Sequence, residues 1–290
     1  MMTKVYDKNS GLSPEEILAA TPVYAASGSL EVRLARSFAE IKQAQKLRYH
    51  IFYKEMQAKP GFLQKLTKRD IDRYDQICDH LLVIDTSLPP RRQVVGTYRL
   101  LPQKTAEAHD GFYSAGEYDL TGLLKHVRSL KGQKQVLELG RSCVHVDYRA
   151  SSTISLLWQG ISSFMRDQNV AYLFGCASFE GTDPQAHAEG LSYLHHFHGA
   201  GQGLDLKVHD SMGVPMDMIP ADALDQRQAK RALPPLIKGY IRLGAKIGCG
   251  AYVDHQFGTT DVFILMDVNN VSKRYSKHYN IGEGAASKAV

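Results

Sequence analysis

The chain has 290 residues, 43% of them hydrophobic and 22% charged, and carries a net charge of +5. That balance belongs to a globular protein large enough to bury a core without staples. It excludes a collagenous or disordered chain, and the absence of an apolar run of about 18 residues excludes a membrane-spanning helix. A charge this mild does not argue for nucleic acid, though it suits an acidic partner or an anionic surface. The N-terminus shows no basic, apolar secretory leader, so a cytoplasmic location is expected. Cys78, Cys143, Cys176 and Cys249 form no CxxC pair and are read as buried free thiols.

Residues 1–28 read as a mobile lead, within which Ser13-Pro14-Glu15-Glu16 has the pattern of a helix cap. Alternation predicts a strand over 30–35, and helical spacing of Ile41, Ala44, Leu47, Ile51 and Phe52 predicts a helix over 38–56. Residues 61–79 are charged and read as a loop with helical turns. An apolar run predicts a buried strand over 80–85, and Pro89-Pro90-Arg91-Arg92 turns the chain into a returning strand over 94–101. A mixed insertion with short helices follows over 102–135, then a strand over 136–145. Ile154, Leu157, Ile161 and Phe164 predict a helix over 151–167, before a strand over 171–177. Asp183 and Pro184 have the N-cap and N1 chemistry of a helix running to 198. A polar, loop-rich stretch over 199–233, a helix over 235–247 and a strand over 262–268 complete the pattern. This order predicts an α/β fold with one mixed, mostly antiparallel sheet flanked by helices. A single domain over 29–275 is expected, followed by a tail over 276–290.

Glu138 and Arg141 bracket Leu139-Gly140 inside an apolar strand, where charge is costly unless paired or facing a cleft. Spaced i and i+3 on a regular strand they point to opposite faces, unless Gly140 hosts a bulge. They read either as structural ion-pair members or as active-site groups. Asp70, Asp72, Asp75 and Asp79 form a dense acidic group, either a solvated loop with capping aspartates or a wall for a cationic amine. Its spacing matches no calcium loop. Of His187, His195, His196 and His198, only His195 and His198 are spaced i and i+3, with no paired carboxylate nearby in sequence, which favours packing over metal, and no metal site is expected. Lys238, Arg242 and Lys246 recur at four-residue steps, giving either a solvated face or a dock for an acidic carrier protein or anionic headgroups.

Four segments taken in order, Leu47-Arg48-Tyr49-His50-Ile51-Phe52, Asp72-Arg73-Tyr74-Asp75, Val95 to Pro102 with Arg99, and Glu138-Leu139-Gly140-Arg141, resemble the signature of acyl-homoserine-lactone autoinducer synthases. Those enzymes are GNAT-like and take their acyl group from acyl carrier protein. A closer resemblance is to the ornithine N-acyltransferase family. It rests on Cys78-Asp79-His80-Leu81-Leu82-Val83, on Glu138 through His145, on Tyr148-Arg149, on Leu233 through Tyr240 and on Asp254 through Val262. It spans roughly residues 30–275, and the late segments favour this family over the autoinducer one.

The resemblance implies transfer of a (3-hydroxy)fatty acyl group from acyl carrier protein to the α-amino group of L-ornithine, the first step of ornithine lipid biosynthesis. Peripheral contact with the inner membrane fits that role. The rivals are an autoinducer synthase and a non-catalytic acyl- or carrier-binding module; the residues do not separate ornithine from lysine or glutamine. In acetyl-CoA-dependent GNAT enzymes the turn after the central strand is glycine-rich, which lets backbone N–H groups reach a pyrophosphate. Here it reads Arg149-Ala150-Ser151-Ser152-Thr153-Ile154 without glycine. The expected donor is therefore a phosphopantetheine thioester on the carrier, with no permanently bound cofactor, held by Val144, His145, Arg149, Ser151, Ser152 and Thr153. Glu138 is expected to take the amine proton or to orient the group that does, with Arg141 beside it in the catalytic set. Asp72, Asp75 and Asp79 are expected to hold the side-chain ammonium, and Arg48, Arg99 or Arg141 the carboxylate. Backbone N–H groups at 140–143 are candidates for the oxyanion. Cys143 is not favoured as a nucleophile.

Overall fold

Alternation, apolar runs and capping residues account for most of the elements in the computed structural model, which describes residues 11–201 and 203–270. The first ten residues of the expected lead and the expected tail over 276–290 lie outside the described residues. In chain order the elements are α1 (Pro14–Ala20), β1 (Val23–Ser27), β2 (Leu30–Leu34), α2 (Phe38–Tyr49), α3 (Phe62–Thr67), β3 (Asp79–Asp85), β4 (Val94–Pro102), α4 (Gln103–Glu107), β5 (Tyr118–Asp119), α5 (Thr121–Ser129) and β6 (Gln135–Val144). They continue as α6 (Ser151–Asp167), β7 (Val170–Glu180), α7 (Ala188–His198), β8 (Lys207–Val208), β9 (Gly213–Val214), α8 (Gln226–Ala232), α9 (Pro235–Leu243), β10 (Lys246–Asp254) and β11 (Thr259–Asp267). Among the described residues no helix is long and apolar enough to cross a membrane.

The chain forms two compact units, and β6 runs covalently from one into the other. The first holds residues 11–109 and 139–168. Its strands β1, β2, β3 and β4 pair antiparallel in that order, followed by the second half of β6. β3 is buried along nearly its whole length, as its uninterrupted apolar run requires. α6 buries Leu157, Ile161 and Phe164. It lies so close to β2 that a Cβ on Gly160 would sit 2.3 Å from Val32 Cγ1. Ile154, expected on the buried face of that helix, is exposed. The expected helix over 38–56 changes character at its end. α2 stops at Tyr49 and a π-helical turn continues over His50–Glu55, a feature that recurs at functional sites.

The second unit holds residues 110–138 and 169–270. Its strand order is the first half of β6, then β7, β11, β10, β8 and β5, with β9 on β10. β6 and β7 are parallel from Gln135 to Glu138, β10 and β8 are parallel, and the other ladders are antiparallel. α7 and α9 bury Leu191, Leu194 and Ile237 among Phe179, Leu233 and Val262. Residues 199–233 are loop-rich and also hold the short elements β8, β9 and α8. One expectation is corrected here: a whole strand, β10, stands where the helix over 235–247 was expected to end. That helix stops at Leu243, with Gly244 capping it at φ +95°, a left-handed conformation that glycine adopts without strain. The expected fold class, a mixed and mostly antiparallel sheet with helices on its faces, is the one observed.

Candidate active site

Within the first unit, the end of α2 and the residues ahead of β3 build a dense ionic lattice. Arg48 is fully buried, an expensive place for a guanidinium unless it is paired, and its Nη1 makes no hydrogen bond. Its Nε donates to Asp70 Oδ2 at 2.8 Å, and its Nη2 donates to Asp75 Oδ1 at 2.6 Å and to the Asp70 carbonyl at 2.7 Å. Tyr53, on the π-helical turn, donates to Asp70 Oδ1, and Gln45 donates to Asp75 Oδ2. Arg99, from β4, pairs with Asp72 and stands 3.6 Å from Asp75. Arg141 approaches Asp70 at 3.4 Å and Asp72 at 3.5 Å. Three arginines thus face three aspartates.

Electrostatics reinforce this balance. Burial raises the Asp75 carboxyl, but the Arg48 and Arg99 charges outweigh it and bring the group to about 2. Asp70 is likewise lowered by Arg141, Arg48 and Arg99 against burial. His80, wholly buried, is pushed down to about 4, first by burial and then by the nearby arginines, so it is neutral near pH 7. Its Nε2 lies 2.9 Å from the Asp75 carbonyl.

The lattice gathers Arg48, Asp72, Asp75, Arg99 and Arg141, all expected as site residues, but it corrects their roles. Asp75 is committed to Arg48 and Gln45 and is in no position to hold a substrate ammonium. Asp79 is not a member. It neighbours His80 on a strand, so the two side chains point to opposite faces, and it acts on Tyr24 together with Asp167. Arg141 is the most open of the three arginines, its side chain 15% exposed. The expected irregularity at Gly140 falls instead on Arg141, whose φ of +50° is strained for any residue with a Cβ.

The donor residues divide. Ser151 and Ser152 are exposed at the start of the 17-residue α6, where no side chain caps the first N–H groups. Thr153 is buried, which removes its hydroxyl from the expected set. Arg149 is held by Glu55 and by the Val144 carbonyl, while His145 accepts from Asp147 N. Val144 is half-buried. Burial pushes the Cys143 thiol up to about 12, so it is no thiolate.

Within the second unit Glu138 is buried and accepts from Tyr113 N at 2.8 Å, from Ser114 N at 2.7 Å and from the Ser114 hydroxyl. Three donors engage this carboxylate, which makes it a holding group for the turn at Tyr113–Gly116 rather than a free proton acceptor. That turn delivers Glu117, which residue patterns had not singled out. Glu117 is 8% exposed and accepts from the Cys176 thiol at 3.3 Å. Burial raises its carboxyl to about 7, the Cys176 hydrogen bond opposes this, and the charges of Asp261, Asp254 and Glu138 add to it. Asp261 is itself buried on β11.

The remaining expected sites separate. Lys238 donates to the Arg231 carbonyl, Arg242 is exposed in the last turn of α9, and Lys246 opens β10, so the three do not form one helical stripe. His196 meets the Ile219 carbonyl. Among the described residues no group of three or more His, Cys, Asp or Glu is placed to hold a metal. None of the four cysteines is in a disulfide; Cys78 and Cys143 are buried as expected, Cys176 is half-buried and Cys249 is exposed.

Residues 47–159 match the acetyltransferase (GNAT) domain. An L-ornithine N(alpha)-acyltransferase from Brucella abortus (strain 2308) is 45% identical over 276 residues, covering 93% of this chain and 97% of that protein. The chain belongs to the L-ornithine N(alpha)-acyltransferase family. A second member of the family, from Agrobacterium fabrum, is 46% identical over 254 residues, 87% of this chain and 85% of that protein. Among solved structures, FeeM, an N-acyl amino acid synthase from uncultured soil microbes, resembles this family member with a TM-score of 0.47 and 9% identity, over 82% of this chain and 91% of that one.

Proposed function

We propose that the chain transfers a fatty acyl group, 3-hydroxylated where the donor is, from the phosphopantetheine thioester of acyl carrier protein to the α-amino group of L-ornithine, giving the single-chain N-acyl precursor of ornithine lipid. The observation that carries this reading is the 45% identity over 93% of the chain to a protein named for acylation of L-ornithine at its α-amino group; the carrier-bound donor and the lipid product are part of the proposal. The bond formed is an amide and the bond broken is the thioester; the thiol leaves on the carrier, and the amine gives up a proton.

That proton needs an acceptor ionised near neutral pH. In the second unit the candidate is Glu117, raised to about 7 and bonded to a thiol rather than to a cation. Glu138 serves as a positioning residue through the turn that carries Glu117. In the first unit Arg141, the most open arginine of a lattice otherwise neutralised, is the candidate for an anionic group of a substrate. The uncapped start of α6, with the Ser151 and Ser152 hydroxyls, suits one phosphate. The absence of glycine from that turn supports the carrier-bound arm over coenzyme A.

Purified protein incubated with L-ornithine and 3-hydroxyacyl carrier protein should yield N-acyl-ornithine by mass spectrometry, and far less with the matching acyl-coenzyme A. Acyl-lysine or acyl-glutamine formed faster in competition would reassign the acceptor. An acyl-homoserine lactone from S-adenosylmethionine would replace the reading, and binding without any product would favour a carrier-binding module.

A further inference from the structure

Residues 56–66 hold four of the twelve exposed large apolar side chains among the described residues: Met56 at 47%, Phe62 at 84%, Leu63 at 49% and Leu66 at 70%. Exposed apolar residues are ordinary when scattered singly, but a cluster is not. Phe62, Leu63 and Leu66 share one face of α3, because residues spaced i, i+1 and i+4 fall within about 100° of each other around a helix. Gln64 lies on the opposite side, half-buried and donating to the Ile71 carbonyl at 3.1 Å. A helix packed on its own protein normally turns its apolar face inward. Here a polar side chain anchors the helix and the apolar face points to solvent, so α3 buries none of its residues.

The surrounding charge is of one sign. Lys54, Lys59, Lys65 and Lys68 are exposed over 54–68, against a single acid, Glu55, which is occupied by Arg149. Apolar side chains that protrude within a ring of lysines match a bilayer surface, where Phe and Leu enter the acyl boundary and lysine stems reach back to anionic headgroups. An acidic protein partner would satisfy the lysines but would leave a phenyl ring that is 84% exposed without an apolar counterpart.

We propose that α3 and its flanking lysines dock this protein on an anionic lipid bilayer. The purpose of such docking rests on the acyltransfer reading, since N-acylating an amino acid makes an amphiphile that leaves most readily into a membrane; the docking itself is measured without turnover. The protein should float with vesicles of equimolar phosphatidylglycerol and phosphatidylcholine, and weakly or not at all with phosphatidylcholine alone. The pair Phe62→Ser and Leu66→Ser should lower partitioning at least about tenfold, because two buried apolar side chains are lost. Lys59→Gln with Lys65→Gln should lower it several-fold at low salt and little at high salt. The serine pair should keep wild-type kcat with a soluble acyl carrier protein donor, because neither residue belongs to the chemistry. Failure of the wild type to float, or equal flotation of the serine pair, overturns the proposal. A raised KM for acyl carrier protein with unchanged flotation would make the patch a protein dock instead, which also overturns it. None of these outcomes touches the acyltransfer reading, which product analysis tests alone.

Discussion

Two buried groups of charge, one in each unit, use the same side chains to opposite ends. In the first unit Asp70, Asp72 and Asp75 are matched by Arg48, Arg99 and Arg141, and the buried carboxyls of Asp70 and Asp75 are lowered despite burial, Asp75 to about 2. In the second, burial raises Glu117, the Cys176 hydrogen bond opposes the rise, the charges of Asp261, Asp254 and Glu138 add to it, and the group stands at about 7. Burial pushes a carboxyl up in both places, and the sign of the surrounding charge decides which way the group finally moves. The first arrangement fixes structure across the working pH range. The second leaves a group that exchanges a proton near neutral pH.

The sharpest way to break this contrast is Glu117→Gln. Removing the acceptor should lower kcat/KM by roughly a hundred- to ten-thousand-fold and abolish an acidic limb near pH 7 in the rate profile. Stability should move the other way. The folded carboxyl sits above its ordinary 4.5, so the fold binds this proton more tightly than the unfolded chain does. Its contribution is full below pH 4.5 and is lost as the pH rises through about 7. The wild type should therefore gain stability from this group on moving from pH 8 toward 4.5, and the glutamine variant should lack that gain in denaturant titrations across the same window. A variant with wild-type turnover would remove Glu117 from the chemistry.

Arg48→Met tests the other side. It leaves Asp70 and Asp75 buried with one cation fewer and should cost about 3–5 kcal/mol, measured by urea unfolding at neutral pH. The pH dependence has the opposite sign to that of Glu117. Asp75 is depressed in the fold, so its stabilisation is present above pH 3.8 and lost as the pH falls through about 2. The penalty of Arg48→Met should shrink on acidification as the stranded carboxylates take up protons. An unchanged penalty at low pH would mean that Arg48 acts by packing alone.

The two groups also differ in how far they can be read without coordinates. Arg48, Asp72, Asp75, Arg99 and Arg141 stand in short segments whose order carries a family resemblance, so their common destination was legible even though their mutual neutralisation was not. Glu117 was not legible, because it meets Cys176 across 59 residues and Asp261 across a longer span, and nothing beside it in sequence marks it. Strand pairing tells the same story. β3, β4 and α6 follow from apolar runs and helical periodicity that local residues impose. β10 was hidden because Gly248 and Gly250 interrupt its pattern and its register against β11 shifts between Ile247 and Ala251. β1 has only half-buried or exposed positions and is held by its pairing with β2.

The smallest expected effect sharpens the contrast furthest, because each unit carries a thiol close to its charged group. The Cys176 thiol donates to Glu117 and thereby opposes the rise in its carboxyl. Cys176→Ala removes that donor, so Glu117 should titrate somewhat higher and the acidic limb of the rate profile should move upward in pH, with a modest loss of rate at pH 7. Cys143 lies in range of the lattice, its thiol raised by burial, with Asp70 and Glu55 raising it further while Arg48 and Arg149 pull it back. Cys143→Ala should leave the limb where it is and turnover nearly intact. If both alanine variants leave the limb in place, the group that titrates in turnover is not Glu117; if only Cys176→Ala moves it, the thiol tunes the acceptor, and the position of that limb measures the field inside the acidic cluster directly.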